Sequence, residues 1–535
     1  MDNAVHDRVF YFNIDEGLST LDPAFARARA NIWTTTQLFN GLLSLDSALV
    51  LRPAIAHRWE ISPDGRTYRF FLRQDVYFHR HPAFGPDSTR RVTARDFVYS
   101  FTRICDPATG STGQWIFNGK ITGLKAFTDG QATTITGFEA VNDSVLQIHL
   151  DAPFPPFLGL LAMPYGFVVP EEAVRWYGDD FSAHPVGTGP FQFFRWTDGQ
   201  RLIFHRNPHY FETRGDRRLP YLDAVSISFI PSRLSAFIAF LQGKLDFIGD
   251  LDNAYRDEIL RPDGSIQPEM ARQYQIQLAP QLNTEYLGIL TDPDLPITQG
   301  HPLADLRVRQ ALNLAIDRER LVRYLLYGMG YPASAGIIPY GMPGYSPGAV
   351  AGYGFDPGRA RTLLADAGFP GGRGLPELTL YTTPKYAALS EYVQKSLENI
   401  GIRLRIQSLQ GGALRKEVYN GNALFWRASW IADYPDGENY LSLFYSPNMA
   451  PAGPNTTHFS SPAFDQLYRQ ALTETRDSLR YVLYHRMERL VLASAPVIPL
   501  YYDRSFRILQ PGVHGLRGNP MNHLFLKEVY KTPNP

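Results

Sequence analysis

Hydrophobic and polar positions alternate along Val225-Ser226-Ile227-Ser228-Phe229, the period-two pattern of a strand with one buried face. The period then lengthens. Leu234, Phe237, Ile238 and Leu241 recur at helical spacing until Gly243, and Leu245-Asp246-Phe247 returns to strand spacing. The same succession starts again at Leu378-Thr379-Leu380. Pro384 opens a helix with Leu389, Tyr392, Val393 and Leu397 on one side, Gly401 closes it, and Ile402-Arg403-Leu404-Arg405-Ile406 alternates. Each segment predicts strand, helix, strand, and parallel strands joined this way cross over right-handed. Their distance along the chain assigns them to two different α/β lobes.

Helix ends are marked as well. Asp356-Pro357 reads as an N-cap followed by a first-turn proline, with Gly368 closing that helix. Asp317 caps a predicted helix carrying Leu321, Val322, Leu325 and Leu326 and stopping at Gly328. Ser461-Pro462 starts another, with Phe464, Leu467, Tyr468 and Ala471 on its inner face. The next helix runs through Leu479, Leu483, Met487, Leu490 and Val491, before an apolar strand Val497-Ile498-Pro499-Leu500-Tyr501. Residues 105–137 and 337–353 read as long ordered loops, a place where function often sits.

The chain's 535 residues exceed one compact core and call for two or three domains. Lys plus Arg and Asp plus Glu are both 52, so no excess of positive charge supports nucleic-acid binding. No apolar run approaches the ~20 residues of a membrane-spanning helix. The start, Met1-Asp2-Asn3-Ala4, does not read as a signal peptide. The single cysteine, Cys105, reads as a small buried apolar residue and excludes a multi-thiolate metal site.

Enzyme signatures are missing: no G-x-S-x-G elbow, no H-E-x-x-H and no Walker loop. Gly187-Thr188-Gly189 begins like a dinucleotide loop, but the sixth residue is Gln192. His79-Arg80-His81 reads as a solvated loop, because Arg80 and Arg90 oppose a divalent cation. No catalytic residue, metal site or cofactor is expected.

Several blocks, taken in order, resemble the extracytoplasmic solute-binding proteins of peptide and nickel ABC importers. They are Leu21-Asp22-Pro23, Leu38-Phe39-Asn40-Gly41-Leu42-Leu43, Thr93 to Ser100, Val186-Gly187-Thr188-Gly189-Pro190-Phe191, and Arg206-Asn207-Pro208-His209-Tyr210-Phe211. Arg307, Gln310-Ala311-Leu312-Asn313 and Ala315 to Glu319 continue the series, and Pro332-Ala333 follows. Asn455-Thr456-Thr457-His458-Phe459 with Ser461 to Asp465 is similar to the oligopeptide-binding branch. The resemblance implies an α/β, two-lobed Venus-flytrap fold with an additional domain inserted in the first lobe. The first lobe would comprise 1–44, 184–280 and 503–535, the additional domain 45–183, and the second lobe 281–502. It further implies a monomer, periplasmic or lipid-anchored outside the cytoplasmic membrane. Hinge closure over an inter-lobe cleft would hold an oligopeptide for delivery to a transmembrane permease. A non-peptide solute of the same family (nickel chelate, haem, glutathione, opine or oligosaccharide) is the alternative, with an unrelated hydrolase or peptide sensor behind it.

Within Phe425 to Asp436 the resemblance places an aspartate, Asp433, against a peptide's α-ammonium group, which needs a counter-charge once it leaves water. Asp433 as a turn residue before Pro435 is the competing reading. Arg427 falls where relatives use an arginine near the ligand's carboxyl end, and a guanidinium can grip a carboxylate with two hydrogen bonds. Trp430 matches a pocket tryptophan, although alternation puts it and Trp426 on the strand face opposite Arg427. Tyr286 and Tyr502 are placed to line the cleft or to fill the core. Arg27 stands where the oligopeptide-binding branch carries a glutamate near the ligand's amino end, and Ile431 replaces a cysteine. The ligand backbone would be held by addition beside a strand, with side chains in hydrated pockets.

Overall fold

The computed structural model describes residues 8–532, and the Met1-Asp2-Asn3-Ala4 start lies outside them. The chain divides into two compact α/β units. One comprises Met1–Ile259, Ile266–Ala279 and Ser505–Pro535; the other comprises Leu260–Ser265 and Pro280–Arg504.

The first unit holds a mixed sheet of β1 (Val9–Asn13), β6 (Phe191–Thr197), β7 (Arg201–Arg206), β8 (Ala224–Ser228) and β9 (Phe247–Ile248). The order is β9-β1-β8-β7-β6, with β1 parallel to both β8 and β9. A separate antiparallel sheet, within residues expected to form an added domain, is built from β2 (Ala56–Ile61), β3 (Thr67–Leu72), β4 (Phe138–Asn142) and β5 (Val145–His149). Phe10, Phe12 and Phe247 meet Trp33 of α1 (Arg29–Leu38) in the unit's core. Gly187 and Gly189 run so close to the end of α1 that a Cβ on either would enter the Leu38 backbone. The paired glycines thus serve packing.

The predicted β8–helix–β9 unit is present, but β1 lies between its two strands. The helix is α3 (Arg233–Leu241), following α2 (Ala94–Cys105) in the chain. It buries Ala236, Phe237 and Phe240, while Leu234, Ile238 and Leu241 stay 44–46% exposed. Apolar residues cover most of this helix, so spacing alone could not choose a face. Stacking of Phe237 on Tyr255 and the tilted contact of Phe240 with Tyr274 choose it. His79 also departs from expectation: it is buried, not solvated, with Nε2 3.0 Å from the Gly189 carbonyl. Burial pushes its imidazole down to about 4. Cys105 is fully buried, and the same cause pushes its thiol up to about 12.

In the second unit the sheet contains β11 (Gly330–Pro332), β12 (Leu378–Thr382), β13 (Leu404–Ser408), β14 (Phe425–Ile431), the part of β10 (Gln275–Ile289) from Pro280 on and the part of β15 (Val497–Leu509) up to Arg504. Its order is β13-β12-β14-β10-β15, with β11 on β15. The predicted strand–helix–strand unit is β12, α6 (Ala387–Glu398) and β13, two neighbouring parallel strands. Two earlier helices are α4 (Leu306–Leu314) and α5 (Pro357–Asp366); Asp356 caps α5 by accepting from Arg359 N at 2.8 Å. Asp317 also caps, but the helix after it collapses into a π turn at Leu321–Leu325. The core joins Leu287 and Ile289 of β10, Leu312 of α4, Leu380 of β12, Val393 of α6 and Phe425 of β14.

The last helices are α7 (Glu438–Leu441), α8 (Pro462–Thr473) and α9 (Asp477–Ser494). Phe464, Leu467, Tyr468 and Ala471 of α8 are buried as the spacing predicts. On α9 the buried line is Arg480, Tyr484, Met487, Glu488, Val491 and Leu492, with Leu479 left 42% exposed. Polar side chains take inner positions there because each finds a partner. Glu488 accepts from the backbone N–H of Ile338 at 3.0 Å, holding the loop over 337–353. Burial pushes its carboxyl up to about 7 against that hydrogen bond. The folded state therefore keeps a proton that the unfolded chain has released, and stability falls as pH rises from about 4.5 to about 7. Glu488→Gln should flatten part of that fall and be more stable than the parent at pH 8 by about 1–3 kcal/mol. Urea unfolding at pH 5 and pH 8 measures both effects.

Candidate functional site

The site grows from one antiparallel pair, β10 with β14. Its register sets Asn283 opposite Ile431, Glu285 opposite Ser429 and Leu287 opposite Arg427. The intervening pairs are Thr284 with Trp430, Tyr286 with Ala428 and Gly288 with Trp426. Opposed residues share a face and successive residues alternate. Arg427 and Trp430 therefore project to opposite faces, as the alternation predicts.

At the end of β14 the chain leaves the sheet and turns through residues 432–437 into α7. Asn439 organises this turn. Its Oδ1 accepts from the Trp430 indole N–H at 2.9 Å and from the Asp433 backbone N–H at 3.2 Å. Its Nδ2 lies 3.3 Å from Asp433 Oδ2. One buried amide thus fixes both the ring and the carboxylate. The Tyr440 hydroxyl lies 2.8 Å from the Leu282 carbonyl and 3.1 Å from the Trp430 carbonyl, tying the turn to both strands.

Two buried acids hold the turn from behind. Asp436 accepts from the Tyr484 hydroxyl at 2.6 Å, from Arg480 Nη2 at 3.0 Å and from the Glu438 backbone N–H at 2.9 Å. Glu438 accepts from the hydroxyls of Tyr434 and Tyr468. Burial and the nearby Glu438 carboxylate raise both phenols well above their ordinary value. Arg480 and Tyr484 of α9 thus serve the turn that carries Asp433.

On the other face the Arg427 guanidinium uses Nε and Nη2 to bind both oxygens of Glu285, and the Tyr386 ring lies 3.2 Å from the guanidinium carbon. The paired side chains are 11% and 2% exposed. Burial pushes the Glu285 carboxyl up to about 7, and Arg427 opposes that rise. Asp503 accepts from Asn283 Nδ2 at 2.6 Å, and burial raises its carboxyl too.

The sequence-predicted residues thus separate. Asp433 and Trp430 come together through Asn439. Arg427 meets Glu285, not open space awaiting a carboxylate. Tyr286 is 6% exposed on the Trp430 face, and burial raises its phenol. Tyr502 is fully buried and donates to the Gly336 carbonyl at 2.9 Å, a core position. Arg27 is an exposed residue of the first unit, two positions from Arg29, which pairs with Asp250 at 2.7 Å. The sequence reading missed Asn439, Asp436, Glu438 and Arg480. A signal for Asp436 existed in Pro435-Asp436-Gly437, a turn sequence with a stated mechanism. For Asn439 there was none. Among the described residues no group of three or more His, Cys, Asp or Glu could hold a metal ion, and no helix is long and apolar enough to cross a membrane.

A model of the bacterial extracellular solute-binding proteins, family 5 (Middle), matches residues 50–451. The periplasmic oligopeptide-binding protein OppA of Salmonella typhimurium is 27% identical over 96% of this chain and 90% of its own length. Heme-binding protein A of Haemophilus influenzae is also 27% identical, over 91% of this chain and 87% of its own. Among solved structures, the unliganded open form of the murein tripeptide-binding protein MppA superposes with a TM-score of 0.81 at 27% identity, covering 98% of this chain and 97% of that one.

Removing the Asn439 amide takes away the acceptor shared by the Trp430 indole N–H and the Asp433 backbone N–H in a partly buried place. Asn439→Leu should cost about 1–3 kcal/mol of stability. In a heteronuclear correlation spectrum the Trp430 indole N–H should move upfield; an unmoved peak would show that this hydrogen bond is not made.

Proposed function

The chain belongs to the bacterial extracellular solute-binding proteins of family 5, and from that premise we propose that it captures oligopeptides outside the cytoplasmic membrane and passes them to an ABC import permease. The relatives named above are binding proteins and not enzymes. The observation that carries the peptide reading is the carboxylate of Asp433, fixed beside an indole by one amide. An ammonium group leaving water loses several kcal/mol of hydration unless a pre-positioned anion replaces it. Asp433 supplies that anion already oriented, so little side-chain entropy is lost on binding.

Trp430 offers an aromatic wall to the first ligand residue, and the remaining backbone is held by strand addition, which is indifferent to sequence. Tyr286, Tyr502 and Arg27 stand outside this set, the first two as core and the third as surface. A haem or other non-peptide solute remains the competing ligand, since one relative of equal identity is named for haem.

Asp433→Ala should weaken binding of Ala-Ala-Ala at least tenfold, and acetylating the peptide's amino group should weaken binding to the parent by a similar factor. Titration calorimetry reads both. An affinity that neither change moves would remove Asp433 from the site. Stabilisation by haem and not by peptides in a thermal-shift series would replace the ligand class.

A further inference from the structure

The Arg427 pair bears on the ligand's other end. We propose that Glu285 determines how this site treats a ligand carboxyl group: by occupying Arg427, it removes the cation that would fix a carboxylate, so binding does not select for a free carboxyl end. This rests on the peptide reading above and adds a specificity determinant to it.

The geometry supports it in three ways. Both carboxylate oxygens of Glu285 engage the guanidinium, using the planar two-pronged edge by which an arginine would grip a ligand carboxylate. The pair is buried, 11% and 2% exposed, with the Tyr386 ring against the guanidinium, so exchanging partners would strand Glu285 as an unpaired buried charge. The surroundings already hold an excess of acceptors. Asp503 adds a second acid, which accepts from Asn283 Nδ2, and Asn283 Oδ1 is buried without a hydrogen-bond partner. Lys385 is the other cation whose charge is felt at Glu285 and Asp503. A ligand carboxylate would bring a third acid into this layer.

The test compares Ala-Ala-Ala with its carboxyl-terminal amide by titration calorimetry on the full chain. The parent protein should bind the two within threefold. Glu285→Gln frees Arg427 and should tighten the acid form tenfold or more while the amide moves less than threefold. Because that variant leaves a buried guanidinium without its counter-ion and is at risk of misfolding, the double variant Arg427→Met with Glu285→Leu is run beside it. Replacing the whole pair by apolar side chains should keep the acid and amide within threefold. A tenfold preference of the parent for the acid, a tenfold loss of the acid form in the double variant, or a folded Glu285→Gln variant with an unchanged ratio would each overturn the proposal. Acetyl-Ala-Ala-Ala separates the two ideas. If acetylation still costs tenfold while the acid–amide result fails, only this inference falls. If no peptide binds, the peptide reading falls and takes this inference with it.

Discussion

The register of β10 against β14 is the constraint on which the rest depends. A strand pair has a period of two, so a slip of one residue would exchange every side chain between faces. In the register observed, Glu285 and Arg427 share one face and Tyr286 and Trp430 share the other. The charge pair can then be sealed under Tyr386 while the indole and Asp433 are arranged separately by Asn439. Ridge-and-groove packing of apolar residues would tolerate some drift; a buried guanidinium facing a buried carboxylate would not, because either alone is costly.

Legibility in the sequence followed the physics of each element. The α/β class and the β12–α6–β13 unit were readable because apolar period and helix stops agree there. The inner face of α8 was readable for the same reason. On α3 nearly every position is apolar, and aromatic contacts with Tyr255 and Tyr274 decided what spacing could not. On α9 the rule that polar residues face water failed at Arg480 and Glu488, which reach Asp436 and the Ile338 backbone, both far away in the sequence. The site shows the same limit. Alternation separated Arg427 from Trp430 correctly, but nothing local announces that Glu285 is the partner of Arg427 or that Asn439 joins Trp430 to Asp433. Such pairings are made by register and turn geometry, neither of which one sequence prints.

Similarity to named relatives and geometry inform different levels. Equal identity to an oligopeptide-binding and a heme-binding protein shows that overall likeness in this family does not choose a ligand. On the proposed reading the choice lies with a few side chains on one strand and the turn after it. Those side chains are polar groups whose partners leave them almost no freedom to move, so the frame is in place before a ligand arrives.

The turn at 432–437 and the start of α7 owe their shape to donors that sit on α8 and α9. For protein engineering this makes the turn proposed to recognise the ligand a poor cassette. A chimera that imports only the loop into another member would leave Asp436 facing a host helix without Arg480 and Tyr484 at the matching places. The smallest portable module is the strand, the turn and the inner faces of both helices together.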